Sequence, residues 1–98
     1  MSRTIPVMKF LVMWQIELSL LSREMAGAVA RMPEYGAPLA RAGTVLARYH
    51  VVGGHGGAWI YDVDSHEQLE RLLALAPVYN FARYTIYPLA DMAPDAQE

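Results

Sequence analysis

Two histidines and two glutamates are the side chains of this sequence best suited to moving protons between carbon atoms. A base that removes a carbon-bound proton must stand within about 3 Å of it, and titration near neutral pH favours histidine or a desolvated glutamate. The candidate bases are His50, His55, Glu34 and Glu17. A donor must hold the oxygen that becomes negative when the proton leaves. The candidate donors are Arg48, Tyr35, Tyr84 and Gln15.

Arg48 and His50 are the polar pair whose spacing is most informative. In a strand they point to one side while Tyr49 points to the other. Two large polar side chains at a two-residue step fit a substrate pocket, a solvated sheet face or an oligomer interface. His55 stands between glycines at a loop tip, where it is either solvated or part of a lid that closes over a ligand.

Other chemistries find little support in the sequence. There is no cysteine, and the three histidines lack the spacing of helical metal ligands. The glycine loop Gly53–Gly57 matches neither a Walker A loop nor a dinucleotide fingerprint, and it joins two predicted strands. We therefore expect neither a metal nor a cofactor.

Composition favours a small protein that associates with itself. The 98 residues are 54% hydrophobic and only 18% charged, with a net charge of −2. A small domain has much surface for its volume, so some apolar surface should be covered by a partner, most simply in a homo-oligomer. Lys and Arg form no cluster, which argues against nucleic acid. No apolar run is long enough to span a membrane, so we expect a cytoplasmic protein.

The helices and strands that must position these residues can be predicted from hydrophobic periodicity and from the capping residues, glycines and prolines at their ends. We expect one domain over residues 1–98, with loose termini at 1–6 and 90–98. Residues 7–18 alternate like a strand, and a helix capped by Ser19 or Ser22 runs towards residue 42. Pro33 must kink or restart that helix, and Pro38 disfavours regular helix after it.

The second half of the chain predicts a hairpin, a helix and a last strand. Strands at 44–52 and 58–63 flank the glycine loop, and Ser65 with Gln68 forms a capping box for a helix that ends at Pro77. Residues 78–89 have strand composition. The order strand, helix, strand, strand, helix, strand is the α+β ferredoxin-like pattern, an antiparallel sheet with two helices on one face.

The segment from Ala40 to Leu89 resembles the muconolactone isomerase family. The similarity is carried by Gly43-Thr44, Gly53, Tyr61-Asp62-Val63, Ser65, Leu69, Leu73, Pro77 and the strand that follows, and it extends more loosely to residues 8–18. The resemblance implies a ferredoxin-like subunit of the dimeric α/β-barrel type, whose open sheet face packs against a partner in larger oligomers. It also implies cofactor-independent isomerisation of a small lactone.

The chain also departs from the family pattern. Glu34 falls where the family carries Glu, but Leu11, Met13, Gln15, Met32 and Pro33 replace more polar side chains. We therefore predict a hydrophobic carbonyl substrate, such as a polyketide or terpenoid intermediate. The predicted catalytic residues are His50, Glu34 and Arg48. The predicted substrate-binding residues are Tyr35, His55, Trp14, Gln15 and Tyr84.

Three functions fit this sequence. The first is an isomerase or cyclase that acts by proton transfer on a small unsaturated lactone or related carbonyl compound. The second is a cofactor-free monooxygenase or oxidative cyclase of the dimeric ferredoxin-like type. The third is a ligand-binding oligomer without catalytic activity.

Overall fold

The computed structural model describes residues 8–92, so the termini predicted as loose lie outside the described residues except for 90–92. The strands are β1 (Met8–Ile16), β2 (Val45–His50), β3 (Gly56–Val63) and β4 (Ala82–Leu89). The helices are α1 (Arg23–Ala30), α2 (Met32–Arg41) and α3 (His66–Leu75), and short 3-10 turns precede α1 and β4.

The four strands form one antiparallel sheet in the order β2-β3-β1-β4. Strands that are adjacent in the chain are joined by a hairpin only between β2 and β3, and the helical segments make the two other connections. This arrangement confirms the predicted ferredoxin-like α+β fold. The first and last strands of the chain, β1 and β4, lie side by side.

The connection between β1 and β2 contains two helices, α1 and α2, and the break between them lies next to Pro33, as predicted. α1 begins at Ser22, whose Oγ accepts a hydrogen bond from the Met25 amide at 3.0 Å. The helix breaks at Arg31, and Pro33 then occupies the first turn of α2, where its missing N–H costs nothing. α2 continues through Pro38 to Arg41, so the helix predicted to run towards residue 42 is present despite this second proline.

The start of α3 shows the predicted cap with one difference. Ser65 Oγ accepts from the Gln68 amide at 3.0 Å. The Gln68 side chain reaches back to the amide of Asp64, one residue before the cap, at 2.8 Å. Both bonds satisfy amides near a helix start that would otherwise lack partners.

The sheet has one face buried beneath the helices. Four β1 side chains on this helix-facing side are buried, as their alternation predicted: Phe10, Val12, Trp14 and Ile16. They pack with Trp59, Tyr61 and Val63 of β3 and with buried side chains of the helices, including Met25, Met32, Leu69 and Leu73. The core therefore lies between the sheet and the helices.

The opposite side of the sheet, here called the open face, carries no helix within the described residues. It presents Leu11, Met13, Tyr49, Ala58, Ile60, Thr85, Tyr87 and Leu89, as the strand register shows. Tyr49 is 62% exposed and Tyr87 is 49% exposed. Contiguous apolar surface of this kind is unusual on a monomer and typical of an interface. Separately, no helix within residues 8–92 is long and apolar enough to cross a membrane.

Candidate active site

A cavity of about 610 Å³ opens at one end of the open face, where the β2–β3 hairpin loop meets β1 and β4. We call it the sheet-end cavity. Its polar side chains are Gln15, Glu17, His55, Arg83, Thr85 and Tyr87. Met13 and Val51 add apolar surface. Imidazole, carboxylate, guanidinium and amide groups thus surround one space large enough for a small molecule.

The strand register brings these side chains together from distant parts of the chain. Gln15 of β1 stands opposite Gly56 of β3 on one side and Arg83 of β4 on the other. Side chains at paired positions point to the same sheet face. Gln15 and Arg83 therefore stand side by side, and the glycine leaves room beside them.

His55 is held at the cavity by the backbone of its loop. The Ile16 amide donates to the His55 carbonyl at 2.8 Å, which ties the loop to the end of β1. A Cβ atom at Gly56 would lie 1.8 Å from the Trp14 carbonyl oxygen, so only glycine permits this approach. The loop is therefore more than a flexible connection, because it fixes the position from which the His55 side chain extends.

An ion pair forms the charged wall of the cavity. Arg83 Nε donates to Glu17 Oε2 at 2.5 Å, and the Glu17 amide donates to the Phe81 carbonyl at 2.8 Å. Because the Arg83 side chain is 82% exposed, the pair contributes little to stability. An exposed guanidinium that a carboxylate orients is instead well suited to receive an anionic group from a ligand.

Trp14 borders the cavity, but its indole lies on the helix-facing side of the sheet. There the ring covers Gly57, where an added Cβ would come within 2.9 Å of the indole Cζ2. The side chain is 7% exposed, and its Nε1 has no hydrogen-bond partner among the described residues. Trp14 therefore contributes main chain to the sheet-end cavity and its indole to the core side.

The three residues predicted as catalytic lie outside the sheet-end cavity. Arg48 pairs in register with Trp59 and His50 with Gly57, so they share one side, as their spacing predicted, and this is the helix-facing side. Arg48 Nη1 donates to the Pro33 carbonyl at 3.3 Å, and its guanidinium carbon lies 5.9 Å from the Trp59 ring centroid. This contact brings Arg48 to the start of α2, next to Glu34. Arg48, His50 and Glu34 are all exposed.

Tyr35 and Tyr84 are also separate from the sheet-end cavity. The Tyr35 hydroxyl donates to the Leu72 carbonyl and so links α2 to α3, and burial raises its pKa. Tyr84 pairs with Trp14 in register and therefore faces the helices. Burial, with the neighbouring phenols of Tyr35 and Tyr79, raises the pKa of Tyr84 to about 12. Its hydroxyl thus stays protonated at neutral pH and can donate a hydrogen bond.

The structure therefore groups Gln15 and His55 of the predicted site and adds residues that the sequence analysis did not select. Arg83, Thr85 and Tyr87 alternate along β4 and face the cavity. The two-residue period of β4 was available in the sequence, but its register against β1 was not. Glu17, a candidate base by its residue type, contacts Arg83 and so also orients that guanidinium.

No metal centre is formed by the part of the chain that the structure describes. Residues 8–92 contain no group of three or more histidine, aspartate or glutamate side chains placed to hold an ion. The side chains of the sheet-end cavity can support proton transfer by imidazole or carboxylate, with amide and guanidinium groups as donors to oxygen.

Comparison with known proteins identifies the family. A search of the curated proteins finds no match. The model of the muconolactone delta-isomerase family matches residues 8–95, which includes all four strands, all three helices and every side chain of the sheet-end cavity. With nearly its whole length matched and the ferredoxin-like fold in place, the chain belongs to the muconolactone delta-isomerase family.

Proposed function

We propose that this protein isomerises a small unsaturated lactone or related carbonyl compound by proton transfer, without a cofactor, in the sheet-end cavity. The observation that carries the proposal is the grouping of His55, Gln15 and the Glu17–Arg83 pair around one cavity in a member of an isomerase family. The proposal moves the reaction away from Arg48, His50 and Glu34, which line no part of this cavity.

The reaction needs one base and two groups that bind oxygen. In the proposed step, a ring nitrogen of His55 takes a proton from a carbon next to the double bond, and the electron pair moves onto the carbonyl oxygen. The Gln15 amide donates to that oxygen while it is negative. The same imidazolium then returns the proton to a different carbon, so the double bond shifts with no oxidant or reductant. Arg83 binds an anionic group of the substrate, and Glu17 holds the guanidinium in place.

A second copy of the chain completes the site in this proposal. The cavity is open towards solvent on the open face, whose exposed apolar side chains extend from it across the sheet. Packing the open face of a partner subunit on this surface buries Leu11, Ile60 and Tyr87 and limits access of water to the reacting atoms. Exclusion of water strengthens the hydrogen bonds that stabilise the enolate. We therefore propose a homodimer, alone or within a larger homo-oligomer, as the active form.

The substrate is the finer part of the proposal. Met13 and Val51 give the cavity apolar surface beside its charged wall. This mixture fits a molecule with an apolar body and one polar or anionic end. A lactone more apolar than muconolactone, such as an intermediate of a natural-product pathway, is therefore the proposed substrate class.

The direct test is turnover by histidine variants. Muconolactone and more apolar unsaturated lactones are incubated with the protein, and the shift of the double bond is followed by NMR and ultraviolet absorbance. His55→Asn is expected to lower kcat about 100-fold, since general base catalysis contributes about that much or more. His50→Asn is measured beside it, because it removes the histidine predicted from sequence.

Each outcome of this assay decides between assignments. Loss of turnover in His55→Asn with activity kept in His50→Asn supports the sheet-end cavity. The reverse pattern moves the reaction to Arg48, His50 and Glu34 on the helix-facing side. Oxygen uptake with a reduced aromatic compound would instead support a monooxygenase, and recovery of every bound lactone unchanged would support a ligand carrier.

A further inference from the structure

A second cavity, of about 420 Å³, lies on the helix-facing side of the sheet between α3 and β4. We call it the α3–β4 cavity. Its walls are mostly apolar and aromatic: Phe10, Leu69, Leu73, Tyr79, Tyr84 and Ile86. The exposed residues His66 and Glu70 also line it. Phe10, Leu69 and Leu73 are each 5% exposed, whereas Ile86 is 42% exposed and Tyr79 is 43% exposed at the opening. The cavity thus has a buried floor and an open mouth, and its volume lies within the range of small-molecule sites.

The sheet separates this cavity from the proposed active site. Along β4, Arg83, Thr85 and Tyr87 face the sheet-end cavity, while Tyr84 and Ile86 face the α3–β4 cavity. Successive residues of a strand point to opposite faces, so one strand serves both cavities with different side chains. A molecule in the α3–β4 cavity therefore cannot be the molecule that His55 contacts.

One side chain of the α3–β4 cavity ends in a polar atom, Tyr84 Oη, that has no hydrogen-bond partner among the described residues and is almost inaccessible to solvent. Its register partner Trp14 lines no part of this cavity, because the indole covers Gly57 on the β3 side of β1. A buried donor without a partner is destabilising, so a native structure rarely keeps one without a reason.

The chemistry of the Tyr84 hydroxyl defines what is missing. A protonated phenol needs an acceptor for its own hydrogen. The absent partner is therefore an acceptor oxygen. Burial of a net charge among Leu69, Leu73 and Phe10 would be costly, so the molecule that carries this oxygen is uncharged.

We propose that the α3–β4 cavity is a second ligand site, which binds a small uncharged ring compound through a carbonyl or other acceptor oxygen. The rings of Phe10, Tyr79 and Tyr84 contact the apolar body of the ligand. The Tyr84 hydroxyl donates to its oxygen after a small shift of the side chain that opens the hydroxyl to the cavity. This site is independent of the proposed reaction, because it uses none of the polar side chains of the sheet-end cavity.

The experiment uses two probes of similar shape, coumarin and naphthalene. Coumarin is an uncharged unsaturated lactone, and naphthalene has a fused ring system without an oxygen. Binding of each to the full chain is measured by calorimetry and mapped by amide chemical shifts. Coumarin is expected to move the signals of Leu69, Leu73 and Tyr84. Tyr84→Phe is expected to weaken coumarin binding about tenfold, the effect of losing one hydrogen bond, and to leave naphthalene binding unchanged.

Two further variants complete the design. Leu73→Trp fills the cavity and is expected to abolish binding of both probes, and its folding is checked by circular dichroism. Tyr49→Phe removes a hydroxyl on the open face and is expected to leave both affinities unchanged.

The proposal is overturned if Tyr84→Phe binds coumarin as tightly as the parent protein, or if coumarin shifts Gln15 and His55 instead. It is also overturned if a crystal structure saturated with coumarin keeps a water molecule as the partner of Tyr84 Oη. Because this experiment measures binding and not turnover, failure of the second ligand site can be distinguished from failure of the proposed reaction.

Discussion

The two faces of the sheet carry different kinds of side chain, although the same strands supply both. At the sheet-end cavity on the open face, charged groups stay partly solvated and paired, as in Glu17 with Arg83. At the α3–β4 cavity on the helix-facing side, the floor is apolar, the titratable residues His66 and Glu70 are exposed, and the buried Tyr84 Oη is an uncharged donor. Charged pairs lose little solvation at a surface and much in a core, which explains why the ion pair lies at the sheet-end cavity.

This contrast shows why a site cannot be assembled from residue types alone. Trp14 and Gln15 are neighbours in the chain, yet their side chains lie on opposite faces of the sheet. The same holds for Arg83 and Tyr84 on β4. A substitution at one residue of a strand therefore changes one face of the sheet, and a substitution at its neighbour changes the other.

The largest effect is expected from placing a charge in the middle of the open face. Ile60→Lys puts an ammonium group where the proposed partner subunit packs, and burying it unpaired would cost several kcal/mol. We expect the assembly to fall to the 10.9 kDa monomer in analytical ultracentrifugation, with loss of turnover and with the fold retained. Leu75→Lys, at a residue of α3 that is 71% exposed, is the matched control and should leave the assembly intact. An Ile60→Lys protein that stays oligomeric would contradict the proposed use of this face.

A smaller effect is expected from the charged wall of the sheet-end cavity. Arg83→Met should lower kcat/KM about tenfold for a lactone that carries a carboxylate and leave kcat/KM for an uncharged lactone nearly unchanged. Stability should change by less than about 1 kcal/mol, because the ion pair is exposed. Lys9→Met, which removes the 3.7 Å contact of Lys9 with Asp91 at the far end of β1, is the control. Equal losses for both lactones would show that Arg83 has no role in binding the anion.

The smallest effect concerns the pH dependence of stability on the helix-facing side. Because the folded protein raises the pKa of Tyr84 from 10.0 to about 12, the unfolded chain loses this proton first as pH rises. The stabilisation is fully present below pH 10 and is lost as pH rises towards 12. The urea midpoint should therefore fall between pH 10 and pH 12, and Tyr84→Phe should reduce that fall. Tyr61, whose pKa burial also raises, accounts for part of the remainder. An identical fall in the variant would contradict burial of the Tyr84 hydroxyl.

Much of the fold could be predicted because its signals are local. The alternation of Phe10, Val12, Trp14 and Ile16 marks the buried face of β1, and Ser65 with Gln68 marks the start of α3. Both depend on residues no more than a few positions apart. Pro38 is unfavourable to a helix by its local chemistry, yet α2 continues through it, because tertiary packing stabilises a helix despite a missing backbone donor.

The candidate site was harder to predict because its contacts are long-range. Glu17 and Arg83 are 66 positions apart, and only the register of β4 against β1 brings them together. That Arg48 and His50 share one side of β2 followed from their spacing, but which face this is, and the absence of both from the sheet-end cavity, did not. Once the register of β4 against β1 is known, two-residue alternation places Tyr84 and Gln15 on opposite faces of the sheet.

The central claim, that the reaction takes place in the sheet-end cavity, is tested most directly by mapping a ligand that cannot react. A saturated lactone bearing a carboxylate is titrated into the isotope-labelled protein, and amide chemical shifts are recorded. We expect the largest changes at Gln15, Gly54, His55 and Arg83, and we expect Arg83→Met to weaken them. Largest changes at Glu34 and Arg48, with Gln15 and Arg83 unmoved, would contradict it.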